Sequence, residues 1–333
     1  MFDVDFQGDI KHFLGINFKC SKDDEGHVTV HMSQQNDALD LIIKAQLDAP
    51  ATASTKNPYC SGHPVDSVLH VDMPIEDRHI LNKLLQEYVG SLNWLSCQTR
   101  PDLATITNII SQFNNKCSHG HIDAAKYAIR YLKDTSHFGI QFSSCNNAEI
   151  ESFVQFPFDP NIIVPLTDTN WGPQDQSVPN PDNPTIKLDL FKTRSIAGYV
   201  IWLGGPLTWS SKRHTYTARS SCEAGIGSVD ECTKTLQQIA NILADLGLQD
   251  QYTDGPIVIH NDNAACVQWA HNMSTKGIRY IQISENTVRE QVQHNFINVL
   301  QADDSTIQIS SQRKTRTSAT SKCAETHSAS LLQ

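Results

Sequence analysis

The sequence predicts a mixed α/β (α+β) chain in two parts, and three observations lead there. Residues 75–135 carry apolar residues at helical spacing almost throughout. From residue 163 onward, short β-patterned runs alternate with helical ones. Between these stretches, residues 143–162 are polar and irregular, which suits a boundary. A length of 333 residues fits two domains, and 39% hydrophobic residues supply enough material for a core.

The elements follow in order. Ile10 to Phe18 and His27 to His31 alternate around the turn Asp23-Asp24-Glu25-Gly26 and predict a hairpin. Ala38, Leu41, Ile42 and Ala45 share one face of a helix over 34–45. Residues 50–74, rich in Pro, Ser, Thr, Asn and His, predict an extended connector. Helical spacing resumes from Ile80 to Ser96. Pro101 suits the first turn of another helix through Ile106, Ile109, Ile110 and Phe113. His119-Gly120-His121 separates this from a helix over Ile122 to Lys133, and Gly139 to Phe142 is a short strand. A His pair at i, i+2 with no acid or Cys at ligand spacing is more often solvent-exposed polar residues than a metal site.

In the second part, Val164 to Thr167 is a strand ending at Asp168, and residues 172–192, with four prolines, are a surface insertion. Strands are expected at Arg194 to Leu203, Pro206 to Ser211 and His214 to Arg219. The longest helix, Glu223 to Leu246, has a C-terminal glycine at Gly247. A strand at Pro256 to His260 leads to Asp262. Helices at Ala264 to Ala270 and Ile278 to Gln293 and a strand at Phe296 to Leu300 complete the set. The Ser/Thr/Lys-rich residues 311–333 read as a disordered tail.

Composition narrows the function classes. No run is long and apolar enough to span a membrane, so no membrane partner is expected. The acidic first residues do not resemble a secretory signal, and nine cysteines occur with no CxxC pair. Reduced thiols in an intracellular protein, in cytoplasm or nucleus, are the expectation, without zinc. The net charge of −10 argues mildly against a nucleic-acid partner. Local patches, Lys212-Arg213-His214 and Arg313-Lys314-Thr315-Arg316, run against that total.

Three acids stand out. Asp168 and Asp262 close strand patterns, and Glu223 opens the longest helix after Ser220-Ser221-Cys222. A single Asp at a strand end is more often a turn or cap residue than a ligand. Three that can converge suggest a metal site for phosphodiester chemistry.

Four segments resemble the ribonuclease H domain of copia-type LTR retrotransposon Pol polyproteins. They are Thr167-Asp168-Thr169-Asn170-Trp171, Arg194-Ser195-Ile196-Ala197-Gly198-Tyr199, Leu207 to Arg213 running on to Ser220-Ser221-Cys222-Glu223-Ala224, and Asn261-Asp262-Asn263-Ala264-Ala265. Gly8 to Ile16, Tyr88 to Leu95, Thr99-Arg100-Pro101-Asp102 and His121 to Leu132 resemble the reverse transcriptase region before it. The resemblance covers about residues 5–310. It implies a remnant of the reverse transcriptase palm end, thumb and connection at 1–142, a linker at 143–162 and a ribonuclease H-like domain at 163–310.

That resemblance implies a function: metal-dependent endonucleolytic cleavage of RNA in RNA–DNA hybrids. Asp168, Glu223 and Asp262 would be catalytic and hold two Mg²⁺ or Mn²⁺ ions. Lys212, Arg213, Ser220 and Asn263 would contact the nucleic acid. The expected partners are the hybrid and an upstream polymerase portion. The family's polymerase acids, including its Tyr-x-Asp-Asp turn, are absent from this chain, so reverse transcription by this chain alone is not expected. Gln308 stands at the usual fourth-acid position, with Asp303 and Asp304 nearby. Tyr280 and Gln282 replace a usual His and Asp, and Gly225 a second Glu. The alternative reading is a catalytically inactive remnant that at most binds nucleic acid or a protein.

Overall fold

The computed structural model describes residues 10–59, 74–145, 159, 161–172, 194–253, 255–272 and 286–302, and the backbone strands at 177–180 and 183–189. The expectations for Tyr280, Gln282, Asp303, Asp304, Gln308 and the tail lie outside these residues, as does most of the proposed linker.

The first part opens with β1 (His12–Phe13), β2 (Ile16–Lys22) and β3 (Val28–Ser33). The predicted first strand is broken after Phe13. Leu14 and Gly15 both adopt positive φ and reverse the chain, so β1 folds back on β2. β4 (Gly139–Ser143) then adds to β3, giving an antiparallel sheet in the order β1-β2-β3-β4.

Helices pack beside this sheet. They are α1 (Gln35–Lys44), α2 (Ile75–Gln98), α3 (Ala104–Ser111) and α4 (His119–Thr135). Pro101–Leu103 forms one 3₁₀ turn ahead of α3. Leu85, Tyr88, Val89, Leu92 and Leu95 recur at three and four residues along α2 and are buried in one core with Ile106, Ile110, Ile129 and Leu132. Arg100, 2% exposed, ties this unit together. Its Nε and Nη2 donate to both oxygens of Asp102 at 3.0 and 2.8 Å, and Nη1 donates to the Thr135 carbonyl at 2.7 Å. The guanidinium also lies over Tyr131 and Phe138. A buried cation is tolerable only with such pairing.

His119 is exposed as expected, but His121 is not an exposed turn residue. Both lie in the first turn of α4, and His121 is 1% exposed. Its Nδ1 accepts from the Ser118 backbone N–H at 2.9 Å, completing a capping box that the sequence pattern Ser-x-x-His disguises.

The second part is a five-stranded mixed sheet in the order β11-β10-β5-β8-β9. Its strands are β5 (Val164–Asn170), β8 (Ile196–Trp202), β9 (Pro206–Arg213), β10 (Ile257–Asn261) and β11 (Ile297–Gln301). β5, β8 and β9 are antiparallel neighbours, whereas β10 runs parallel to both β5 and β11. Between β5 and β8, β6 (Ser177–Asn180) and β7 (Asn183–Asp189) make a separate antiparallel pair in the predicted insertion. Helix α5 (Ser221–Asp245) crosses the large sheet and ends at Gly247, whose φ of +70° suits glycine. After it come α6 (Gln249–Tyr252), α7 (Ala264–His271) and α8 (Asn286–Gln293). This is the mixed sheet with helices that a ribonuclease H-like fold requires.

Two sequence expectations change here. β5 continues through Asp168 to Asn170, because its pairing with β8 runs unbroken from Val164 to Asn170. The strand predicted at His214 to Arg219 does not form. That segment instead turns away from the sheet and lays His214 and Tyr216 against Gly227 of α5.

The two parts touch along β9. Trp209 Nε1 donates to the Ser96 carbonyl at 2.7 Å, and Thr105 Oγ1 lies 3.3 Å from Ser211 Oγ. The Ser143 N–H reaches the Gly204 carbonyl at 2.8 Å, and Ile196 is buried in the helical core. At Gly205 a Cβ would strike the backbone carbonyl of Gln141, so only glycine fits. Gly205→Ala is therefore expected to destabilise this junction by about 1–3 kcal/mol. A urea titration monitored by tryptophan fluorescence measures the shift, and an unchanged midpoint contradicts the contact.

Candidate active site

The site is built from three chain segments whose geometry is set by backbone pairing. In the parallel pair, Asn261 of β10 stands opposite Thr167 of β5. Asp262 and Asp168 are the next residues along these two chains. The α5 N-terminus comes to the same place. Thr169 Oγ1 donates to the Ala224 carbonyl at 3.3 Å, so the residues following Asp168 and Glu223 are directly bonded. The three predicted acids thus share one end of the sheet.

Asn261 holds this end closed, and the sequence did not single it out. It is 1% exposed. Its Nδ2 donates to Thr167 Oγ1 at 2.9 Å, and its Oδ1 accepts from the Asn263 N–H at 2.9 Å. Thr167 Oγ1 also lies 3.2 Å from the His260 carbonyl. One amide therefore clips β10 to β5 and shapes the turn that carries Asp262. Its signal in the sequence was a polar residue closing an apolar strand, directly before the acid.

Each acid also has a local role. Asp168 is buried, and its Oδ1 accepts from the Thr169 N–H at 2.7 Å. Glu223 is buried in the first turn of α5, where Oε2 accepts from the Arg219 N–H at 2.6 Å. Its own N–H donates to Ser220 Oγ at 3.1 Å, the side-chain cap of the helix. Among the described residues, no group of three or more Asp, Glu, His or Cys side chains is gathered closely enough to hold a metal ion. The donor chemistry suits hard divalent cations, while the side chains stand in their capping and turn-forming positions.

The predicted nucleic-acid contacts divide into two kinds. Ser220 and Asn263 are N-caps, of α5 and α7 respectively. Asn263 Oδ1 accepts from the Cys266 N–H at 3.1 Å. Lys212 and Arg213 end β9 and line a cleft with Arg194, which sequence reasoning quoted without assigning a role.

Close packing fixes α5. At Gly225 a Cβ would lie 3.3 Å from Cys266 Cβ of α7, and at Gly227 it would collide with His214 and Tyr216. Gly225, standing where a second Glu was noted as missing, is thus part of the α5–α7 contact.

Two predictions follow from this geometry. Asn261→Ala removes a buried clip and is expected to lower stability by about 1–3 kcal/mol. Amide hydrogen exchange at Asn263 and Cys266 should rise at the same time, and unchanged exchange contradicts the role. The second concerns pH. Burial holds His31, His214 and His260 below their ordinary value of 6.5. The unfolded chain then takes up protons before the folded one. Stability is full above about pH 6.5 and falls as the pH drops through it. Urea midpoints at about pH 7.5 and 5.5 test this, and His214→Gln should flatten the change.

Comparison with known proteins agrees with the motifs. Over 305 residues, 90% of the chain, it is 29% identical to the retrovirus-related Pol polyprotein from transposon RE2 of Arabidopsis thaliana. Over 301 residues it is 27% identical to that from transposon RE1 of the same plant. It is 26% identical over 215 residues to the Pol polyprotein from transposon TNT 1-94 of Nicotiana tabacum. The chain spans 18% of the length of the RE1 and RE2 polyproteins. No family model and no solved structure matches it. Along nine-tenths of its length, the chain is similar to the Pol polyproteins of copia-type retrotransposons.

Proposed function

We propose that this chain cleaves RNA in RNA–DNA hybrids endonucleolytically, using Asp168, Glu223 and Asp262 with two Mg²⁺ or Mn²⁺ ions. The observation that supports this reading is the pairing and bonding that bring three acidic residues, from β5, α5 and the end of β10, to one end of the sheet. Hard oxygen donors are the ligands these cations take. Bound ions would supply an activated water and neutralise charge on the leaving oxygen.

The protein's own residues supply position. The Asn261 clip fixes the turn before Asp262, and the Ser220–Glu223 cap fixes the first turn of α5. Of the Glu223 oxygens, Oε2 is engaged by the Arg219 N–H, so metal binding has to work with or replace that bond. The 2′-hydroxyl distinguishes the RNA strand from the DNA strand.

The second reading, an inactive remnant that binds nucleic acid or a protein, is favoured by one observation. The three carboxylates are not gathered at ligand spacing.

The deciding experiment is hydrolysis of a labelled RNA–DNA hybrid in Mg²⁺ or Mn²⁺. Asp262→Asn is expected to lower the rate by at least about a hundredfold, since even residues behind the ligands carry effects near that size. No cleavage by folded wild-type protein with either metal rejects the enzyme and leaves the inactive reading.

A further inference from the structure

A cavity with a concentration of positive charge lies where the two parts of the chain meet. A cleft of about 660 Å³ is lined by Arg194, Lys212 and Arg213 from the β8–β9 side and by Asn108 and Gln112 from α3. None of these five is acidic, in a chain whose net charge is −10. Guanidinium, ammonium and carboxamide donors are the groups that bind phosphate oxygens.

The sheet register relates this cleft to the acids. Asp168 stands opposite Gly198, and Gly198 opposite Ser211. Lys212 and Arg213 are the next residues along β9, towards the end where β5 finishes and β8 begins. Cleft and acids therefore share one end of the sheet. They are separated sideways by two strand spacings, about 10 Å. That is a rise of about three nucleotides along one strand.

We propose that this cleft holds the phosphate backbone of a nucleic-acid strand, about three nucleotides from the scissile position, and that α3 completes it. The assignment rests on the nucleic-acid reading above but not on the cleavage step. Asn108 and Gln112 thereby become binding residues supplied by the reverse transcriptase-like part to the ribonuclease H-like part. The Thr105–Ser211 contact holds α3 beside β9, and Trp209 bonds Ser96 of α2, whose Leu92 and Leu95 share one core with Ile106 and Ile110 of α3. Binding then needs both parts docked, with neither presenting the whole cleft.

The test uses the full chain and a labelled RNA–DNA hybrid in EDTA, which prevents cleavage. Fluorescence anisotropy is followed between about 50 and 200 mM salt. Arg194→Gln is expected to weaken binding on the order of tenfold and to reduce the log–log salt slope by about one. Asn108→Asp, nearly isosteric, places a carboxylate in the cleft and should weaken binding comparably. Gln112 is exposed, so Gln112→Glu gives a third variant that leaves the core untouched. Thermal midpoints should match wild type throughout.

Unchanged affinity and slope in the cleft variants, with wild-type protein binding the hybrid, overturns the proposal. So does failure of the folded wild-type chain to bind. Cleft-dependent binding without any metal-dependent cleavage upholds the cleft while rejecting the catalytic reading. Weakened binding in the cleft variants together with loss of cleavage in Asp262→Asn upholds both.

Discussion

The close approach of helix α5 to the sheet and to α7 is the constraint on which the candidate site depends. Ala224, Gly225, Ile226, Gly227 and Ser228 are consecutive and buried. No larger residue could stand at Gly225 or Gly227 without displacing Cys266, His214 or Tyr216. This lets the Ala224 carbonyl reach the Thr169 hydroxyl, which brings the first turn of α5 to the strand that carries Asp168. A wider helix–sheet spacing would leave Glu223 as a cap residue alone. Further along, Val229, Cys232 and Leu236 anchor the helix in the apolar core with Ile201 and Ile259.

The same end of the sheet is held by a second, polar device. Buried Asn261 satisfies Thr167 and Asn263 at once, where an apolar residue would leave their donors and acceptors unmet. Parallel strands β5 and β10 are joined through α5, far apart in the chain, and no turn fixes their alignment. The amide supplies that register locally. The cap at Ser220 and Glu223 does comparable work on the helix side. Stability and candidate chemistry therefore use the same side chains. The chemistry is read from donor types and strand register, and the capping bonds account for the positions these carboxylates now occupy.

Joining of the two parts follows another physical logic. β9 is an edge strand, and exposed edges invite unwanted pairing. Here α2, α3 and the end of β4 lie against it, through Trp209, Ser211 and the close contact at Gly205. Ile196 of β8 lies in the helical core rather than with its own sheet. Packing therefore continues between the residues on either side of the polar stretch 143–162, most of which lies outside the described residues.

Much of this protein is legible in its sequence. Helical spacing located α1 to α5, because burial of one face imposes that period, and short strand-like runs located the strands leading to Asp168 and Asp262. The order of four short motifs pointed to the copia-type Pol polyproteins, to which the chain is similar along nine-tenths of its length. What the sequence hid were contacts between residues distant in the chain. A pattern of alternation at His214 to Arg219 resembled a strand, yet those residues turn to fill the space above Gly227. His121 looked like an exposed turn residue and is a buried cap partner. The Asn261 clip, the close fit at Gly205 and the cleft shared by Arg194 and Asn108 exist only once both partners are in place. Local periodicity determines which residues face inward, and the tertiary structure alone decides which buried groups meet, since that depends on shape and on hydrogen bonds satisfied across the fold.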